Sequence, residues 1–329
     1  MTELLAAVAA FLLTALTGKP LAAWLQKQGF GRSMMVKKGE AVTPGQDNAP
    51  EFGALPLLIG LIPASVLALI LLLVTGSSLS PGIEAGKMLA VLASGALYGA
   101  VGLTDDWRRG RRLPEMPLLI RVALILGVSI AFLVALRMLG ERSDIVLIPF
   151  LGTQGYLGNV WLAAMVLLLL GAATGGDACG AVSGQAGSTA LPLSLAAAGV
   201  SAVFGMRGMA SISFAMAGAS LGLLLYAFPP EKMREGRGGR MMLGTVPVMA
   251  AIAAGAPLFI FSAGIPFIFE GIYAMIRVVR EAAGKKPGPD SLGAVLIDRG
   301  LSGKMVSGLY AGVGLVGAVL SIAAAYLYL

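Results

Sequence analysis

Residues 88–104, Met-Leu-Ala-Val-Leu-Ala-Ser-Gly-Ala-Leu-Tyr-Gly-Ala-Val-Gly-Leu-Thr, carry no charge, and the chain then turns at once into Asp105-Asp106-Trp107-Arg108-Arg109-Gly110-Arg111-Arg112. A run of this length and apolarity, extended slightly toward its start, reads as a membrane-crossing helix, which needs about 20 predominantly apolar residues. Two adjacent carboxylates at the mouth of such a helix are expensive, and ionisable residues there are functional-site candidates by default. If the helix runs from outside to inside, the pair also lies at its C-terminal end, where the macrodipole disfavours negative charge. Something must compensate: a bound cation, a phosphate-handling task, or the arginines that follow.

The rest of the chain agrees with a membrane reading. Of 329 residues, 57% are hydrophobic and only 12% are charged, with a mean hydropathy of +0.86. Ordinary globular domains carry about 25% charged residues. A water-soluble core has no room for this much apolar surface, so the expected class is all-α, a polytopic integral membrane protein. Glycine is abundant at 46 residues. Small residues let membrane helices approach closely, so the Ala-Gly-rich runs 214–223 and 311–324 read as packing faces. A single cysteine, Cys179, excludes an intramolecular disulfide and a multi-cysteine metal site, and it reads as a small packing residue. Histidine is absent, which removes the usual neutral-pH base and the commonest transition-metal ligand.

Ten spans are expected, at residues 4–18, 53–75, 86–104, 116–136, 156–173, 188–205, 208–228, 241–262, 264–282 and 305–328, in a single transmembrane domain covering 1–329. The eighth and ninth are divided only by Ser262-Ala263-Gly264 and Pro266, so they read either as two spans or as one broken hairpin. Met1-Thr2-Glu3 offers no basic segment ahead of the first run, which is expected to be a retained span rather than a signal peptide. Of the 24 Lys and Arg, 17 fall in the connections after odd-numbered spans and 3 in those after even-numbered spans. The positive-inside rule then places the odd connections in the cytoplasm and both termini outside. Asp105 and Asp106 face inward. No internal repeat is evident.

Four inward-facing segments stand out: 37–53, Gly102 to Arg109, the Gly-rich turn 171–184 around Asp177, and 228–244 with Arg237 and Arg240. Together they offer carboxylates, arginines and flexible backbone at one membrane face. Mg²⁺ takes oxygen ligands, often carboxylates plus substrate phosphates. Arginine forks recognise phosphate bidentately, and Gly-rich turns let backbone amides approach oxyanions.

The order and spacing of these segments resemble the polyprenyl-phosphate N-acetylhexosamine-1-phosphate transferases, especially their phospho-N-acetylmuramoyl-pentapeptide transferase branch. Asp105-Asp106-Trp107-Arg108-Arg109 resembles the family's Asp-Asp-aromatic-x-Lys motif, with Arg109 for Lys. Ala49-Pro50-Glu51-Phe52-Gly53-Ala54 resembles its Thr-Pro-x-Met-Gly-Gly entry to the second span, and Glu270 falls where the family has a Glu in its ninth helix. The resemblance implies ten spans, both termini outside, and an inward-facing site in a bacterial cell membrane. It implies transfer of a sugar phosphate from a UDP-sugar to undecaprenyl phosphate with Mg²⁺, releasing UMP.

The departures are specific. Residues 171–181 stand where the family has Asn-Ala-x-Asn-x-x-Asp-Gly-x-Asp-Gly: Asp177 keeps the first aspartate, Gly180 holds the place of the second, and both asparagines are gone. Residues 236–240 stand where the family has Gly-Asp-x-Gly-Ser, so its metal-binding Asp falls on Arg237. The family's cytoplasmic His cluster has no counterpart.

The resemblance thus implies Asp105 and Asp106 as catalytic residues and Asp106 and Asp177 as metal ligands; Asp177 and Arg109 are read as substrate-binding residues beside them, and Arg237 and Arg240, which depart from the family's pattern, as an electrostatic clamp for the substrate diphosphate. Each has a plainer alternative. The Asp pair would be a solvated helix end paired with Arg108, Arg109 and Arg112, Asp177 an ordinary turn residue, and the arginines inside-positive loop charges. Glu235 is a weak substitute for the lost metal carboxylate. Glu270 is either a structural partner of an interior polar group or a site-lining residue. The expected partners are polyprenyl phosphate, a UDP-sugar and the bilayer, with no nucleic acid, and a homodimer is left open. A catalytically silent homologue that binds the lipid carrier or envelope-synthesis partners is the second reading, and a transporter the third.

Overall fold

Among the described residues, ten long helices overlap the ten apolar runs. The computed structural model describes residues 1–30, 49–76, 80–140, 145–158, 160–228, 231–284 and 288–328. The expected site residues 37–48 and Pro229-Pro230 lie outside the described residues. In chain order the elements are α1 (Thr2–Lys27), α2 (Ala54–Thr75), α3 (Pro81–Gly110), α4 (Leu118–Met138), β1 (Ile145–Ile148) and β2 (Thr153–Tyr156). They continue with α5 (Val160–Ala178), α6 (Gln185–Val203), α7 (Arg207–Ala227), α8 (Gly236–Ala253), a 3₁₀ turn (Pro257–Ile260), α9 (Phe261–Ala282), α10 (Leu292–Asp298) and α11 (Gly303–Tyr328). Among the described residues, nine helices are long and apolar enough to cross a membrane, the 3₁₀ turn and α9 counting as one. The protein is an all-α polytopic membrane protein.

The long helix left out of that set is α8, and its position explains why. Every residue of α8 except Arg237 and Arg240 is buried, because α2, α3, α5, α6 and α7 surround it. A helix sheathed by protein has no need of a continuous lipid-facing surface, so its first turn tolerates Gly-Arg-Gly-Gly-Arg. The outer helices show the opposite pattern. Leu119 is 84% exposed, Val316 64% and Val319 68%, a surface that suits lipid and not water.

Glycines set how closely the helices meet. A Cβ on Gly218 of α7 would lie 2.1 Å from the Ala7 carbonyl oxygen of α1, and one on Gly317 of α11 would lie 2.1 Å from that of Ser262. Both fall in the Ala-Gly-rich runs expected to be packing faces. The same device joins α8 to its neighbours. A Cβ on Gly102 of α3 would sit 2.3 Å from the Gly238 Cα, and one on Gly244 would sit 2.3 Å from the Ala172 carbonyl oxygen of α5. These approaches bring the ends of α3, α5 and α8 together.

Beyond longer helices than expected, as at α1, which runs to Lys27 rather than residue 18, and α3, which runs to Gly110 rather than residue 104, three local features differ from the sequence expectation. The eighth helix runs from 236 to 253 rather than from 241 to 262, because Gly255 (φ 75°) and Pro257 end it. It is therefore a separate helix from α9, joined by the 3₁₀ turn. Residues 145–156, which run from the connection after the fourth expected span to the first residue of the fifth, form an antiparallel hairpin pairing Ile145 with Tyr156 and Ile148 with Thr153. Phe150 (φ 66°) and Gly152 (φ 61°) turn it. Finally, Ser291 accepts a hydrogen bond from the Ala294 amide and starts the short helix α10.

Candidate functional site

Both carboxylates of the Asp pair are fully buried, which overturns the alternative of a solvated helix end. The compensation they need comes from α8. Asp106 Oδ1 accepts the Arg237 amide at 2.9 Å and Oδ2 accepts the Gly238 amide at 3.0 Å. The first amides of a helix have no intrahelical partner and carry part of its positive end. A carboxylate at the unfavourable end of α3 thus becomes the cap at the favourable end of α8. Gly236 makes the junction feasible: its φ is 64°, and an added Cβ would lie 2.3 Å from the Glu51 carbonyl oxygen and 2.7 Å from Asp106 Oδ2. The Gly236→Ala protein is expected to lose about 1–2 kcal/mol from the left-handed backbone alone, and more from the clash. Thermal unfolding in detergent checks this against Gly82→Ala, whose added Cβ meets nothing within 4 Å.

Asp105 points into an arginine cluster. Its Oδ1 accepts the Met116 amide at 2.9 Å, and its Oδ2 meets Arg237 Nη1 and, at 3.4 Å, Arg121 Nη1. The other edge of Arg237 reaches Asp177, with Nε 3.1 Å from Oδ2, while Arg240 Nη2 lies 3.0 Å from Oδ1. Arg121 Nη1 is 3.9 Å from Asp177 Oδ2, and Glu115 Oε2 is 3.6 Å from Arg237 Nη1. Side-chain exposure rises from 0% at Asp105 and 11% at Arg237 to 19% at Asp177 and 47% at Glu115, so the cluster opens at one end of the bundle.

Of the expected site residues, Asp105, Asp106, Asp177, Arg237 and Arg240 come together here. Arg109 stands one layer out, 3.2 Å from Glu51 and 3.6 Å from Glu115. Two other arginines of its run turn away: Arg108 Nε donates to the Pro114 carbonyl, and the Arg111 guanidinium stacks 5.3 Å over the Phe30 ring. Glu51 also pairs with Arg234 at 3.1 Å, and the Gly53 amide donates to the Arg234 carbonyl at 3.0 Å. That ties the segment before α2 to the start of α8.

Glu235 is not a substitute for the lost carboxylate. Its Oε1 accepts the Gly187 amide at 3.3 Å on the first turn of α6, away from the cluster. Burial pushes its carboxyl above the usual carboxylate range. Glu270 is the structural partner of interior polar groups. It accepts from Gln185 Nε2 (2.9 Å), Tyr310 Oη (2.7 Å) and the amides of Leu292 (2.9 Å) and Gly293 (3.0 Å). Cys179 is fully buried, and burial pushes its thiol up, as suits a packing residue. Arg121, Glu115 and Glu51 join the site although none is among the residues assigned to it from the sequence, where Arg121 stands out only as a charge inside a span and Glu51 only as part of the entry motif before the second span. For Arg121 a signal existed, a cation in an apolar run with no countercharge on its own helix.

The acid residues do not fit a Mg²⁺ ion as arranged. Both Asp106 oxygens hold backbone amides, and both Asp177 oxygens hold guanidinium groups. Asp105 Oδ2 is shared by two arginines. A hard cation seeking several oxygens meets positive groups where it would need open lone pairs. Among the described residues, no group of three or more acidic, His or Cys side chains is placed to hold a metal.

Buried carboxylates and arginines contributed by α3, α4, α5 and α8 at one end of a polytopic bundle mark a membrane protein built to handle charge at the bilayer edge. Residues 88–255, which hold every member of the inner cluster, match the family described as glycosyl transferase family 4, and the chain belongs to that family. Its relatives include phospho-N-acetylmuramoyl-pentapeptide-transferases. That of Desulforamulus reducens is 26% identical over 84% of this chain and 80% of the relative, and that of Desulforudis audaxviator is 26% identical over 84% and 83%. The Moorella thermoacetica protein is 25% identical over 83% of this chain and 82% of its own length.

Proposed function

We propose that the chain is a divergent membrane transferase. It moves a phospho-N-acetylamino sugar, with phospho-N-acetylmuramoyl-pentapeptide as one donor group, from a UDP-sugar to undecaprenyl phosphate. The reaction takes place at the cytoplasmic face of a bacterial cell membrane. The observation that supports this most is the meeting of Asp105 from α3 and Asp177 from α5 on the Arg237 guanidinium of α8, at the end reached by the Arg-rich connections.

In this reading a phosphate oxygen of the lipid attacks the sugar-linked phosphorus of the donor. The bond from that phosphorus to the bridging oxygen breaks, and UMP leaves with the electron pair. Catalysis of phosphoryl transfer is mostly positioning and charge stabilisation. Arg237 and Arg240 exchange Asp177 for donor phosphate oxygens, and Arg121 helps to hold the lipid phosphate. Asp105, released on one side by Arg237, takes the proton of a monoprotonated lipid phosphate. Asp106 acts as a positioning residue through the amides of α8.

A second reading follows from the engagement of the carboxylates with donors: a catalytically silent relative that binds the lipid carrier. Radiolabelled UDP-amino sugars and undecaprenyl phosphate, incubated with the purified chain, separate the two. UMP release reduced about 10²–10⁴-fold by Asp105→Asn, the range expected when a proton-transfer group is lost, supports the transferase. Retained carrier binding with no turnover on any donor supports the silent relative.

A further inference from the structure

The centre of the cluster is occupied by a side chain where two acids from different helices point at one spot. Asp105 Oδ2 and Asp177 Oδ2 both face the Arg237 guanidinium, one at Nη1 and the other at Nε. Arg121 reaches the same two oxygens from α4, at 3.4 and 3.9 Å. Arg240 holds the far side of Asp177. Three guanidinium groups are thus interleaved with the two carboxylates of Asp105 and Asp177, and the positive charge that joins the acids is protein, not ion.

Arg240 adds a second observation. Its Nε is buried without a hydrogen-bond partner, while Gly180 packs so closely that a Cβ there would lie 2.3 Å from Nη1. A buried cationic donor left unpaired costs free energy. A ligand oxygen that displaces Asp177 would bring a further acceptor to this guanidinium. Carboxylates are the groups such a ligand displaces, because a phosphate offers the same fork-matching oxygen geometry with more charge.

We propose that this cluster is a metal-independent oxyanion site, in which the guanidinium groups of Arg121, Arg237 and Arg240 take the place of a divalent cation in binding phosphate oxygens. The inference rests on the reading of the cluster as the substrate site, and it names how that site neutralises its substrate. The bound group is a phosphate ester, presented either by a nucleoside diphosphate or by a lipid phosphate.

The test measures binding of UDP and, separately, of undecaprenyl phosphate to the full chain in nanodiscs, in EDTA and in excess Mg²⁺. At least one of the two is expected to bind with the same affinity, within about twofold, in both conditions, and whichever binds identifies the source of the phosphate. The Arg240→Gln protein should bind that ligand about tenfold more weakly or worse, the loss of one charge-assisted hydrogen bond. As an independent readout, Mg²⁺ should raise the thermal stability of the Arg237→Asp protein and leave that of the unaltered chain unchanged.

Binding that disappears in EDTA overturns the inference while leaving the transferase reading intact. Binding that survives EDTA without UMP release under any condition upholds it and removes the transferase reading. The absence of binding by either ligand, with and without Mg²⁺, overturns both. Because the EDTA comparison uses the unaltered protein, a variant that fails to fold does not rescue the proposal.

Discussion

Replacing Arg237 with methionine is expected to cost about 3–5 kcal/mol of stability, the range for breaking a buried ion pair on one side. The change removes the Nη1 partner of Asp105 and the Nε partner of Asp177 together. Asp105, fully buried, would keep only the Met116 amide and Arg121 at 3.4 Å. The Arg237 backbone amide still reaches Asp106, so the loss reports the ion network and not the helix cap. Denaturant titration in bicelles measures it. Adding Asp105→Asn to Arg237→Met should recover part of the loss, because the uncompensated charge is then gone. A cost below about 1 kcal/mol, the level of exposed pairs, would mean that the cluster is solvated in the membrane-embedded protein.

The second large effect is expected from Gly102→Leu. An added Cβ at Gly102 lies 2.3 Å from the Gly238 Cα and 2.4 Å from the Gly238 nitrogen, which is also the donor to Asp106 Oδ2. Backbone cannot move aside as a flexible side chain can, so α3 and α8 must separate. Overpacking typically costs about 1–3 kcal/mol. Loss of the cap on α8 adds about 1 kcal/mol, for a total of about 2–4 kcal/mol. The yield of monodisperse, folded protein should fall sharply. Gly127→Leu on α4 is the matched control: an added Cβ there meets nothing within 4 Å, and a change within about 0.5 kcal/mol is expected. Equal behaviour of the two variants would remove close helix approach as the basis of the site.

The helices were legible where lipid dictates composition. α2, whose sequence Ala54–Thr75 contains no charged residue, follows from the cost of unpaired backbone in hydrocarbon, and so do α4 and α11. Legibility fell where protein replaces lipid as the solvent. α8 begins five residues before its expected apolar start, because its Gly-Arg-rich first turn is buried among other helices. The hairpin at 145–156 is not legible because a four-residue apolar run such as Ile145-Val146-Leu147-Ile148 is too short for periodicity to tell a strand from a helix segment. Within the site, Asp105, Asp106 and Asp177 announced themselves as carboxylates beside apolar runs. Arg121 stands out only as a charge inside a span and not as a site residue, because its partners Asp105 and Asp177 sit on other helices.

The apolar runs, the clustering of basic residues after alternate runs and the residue types at the charged end are matters of composition and order, and the amino-acid sequence alone determines them. Which charge meets which is different. The choice of Arg237 over Arg108 or Arg109 as the partner of Asp105, and of the α8 amides as the partners of Asp106, depends on Gly102, Gly238 and Gly236 letting two helix ends come within touching distance. Electrostatic pairing in a low-dielectric interior is decided by ångströms of separation. Those separations exist only once the helices have packed.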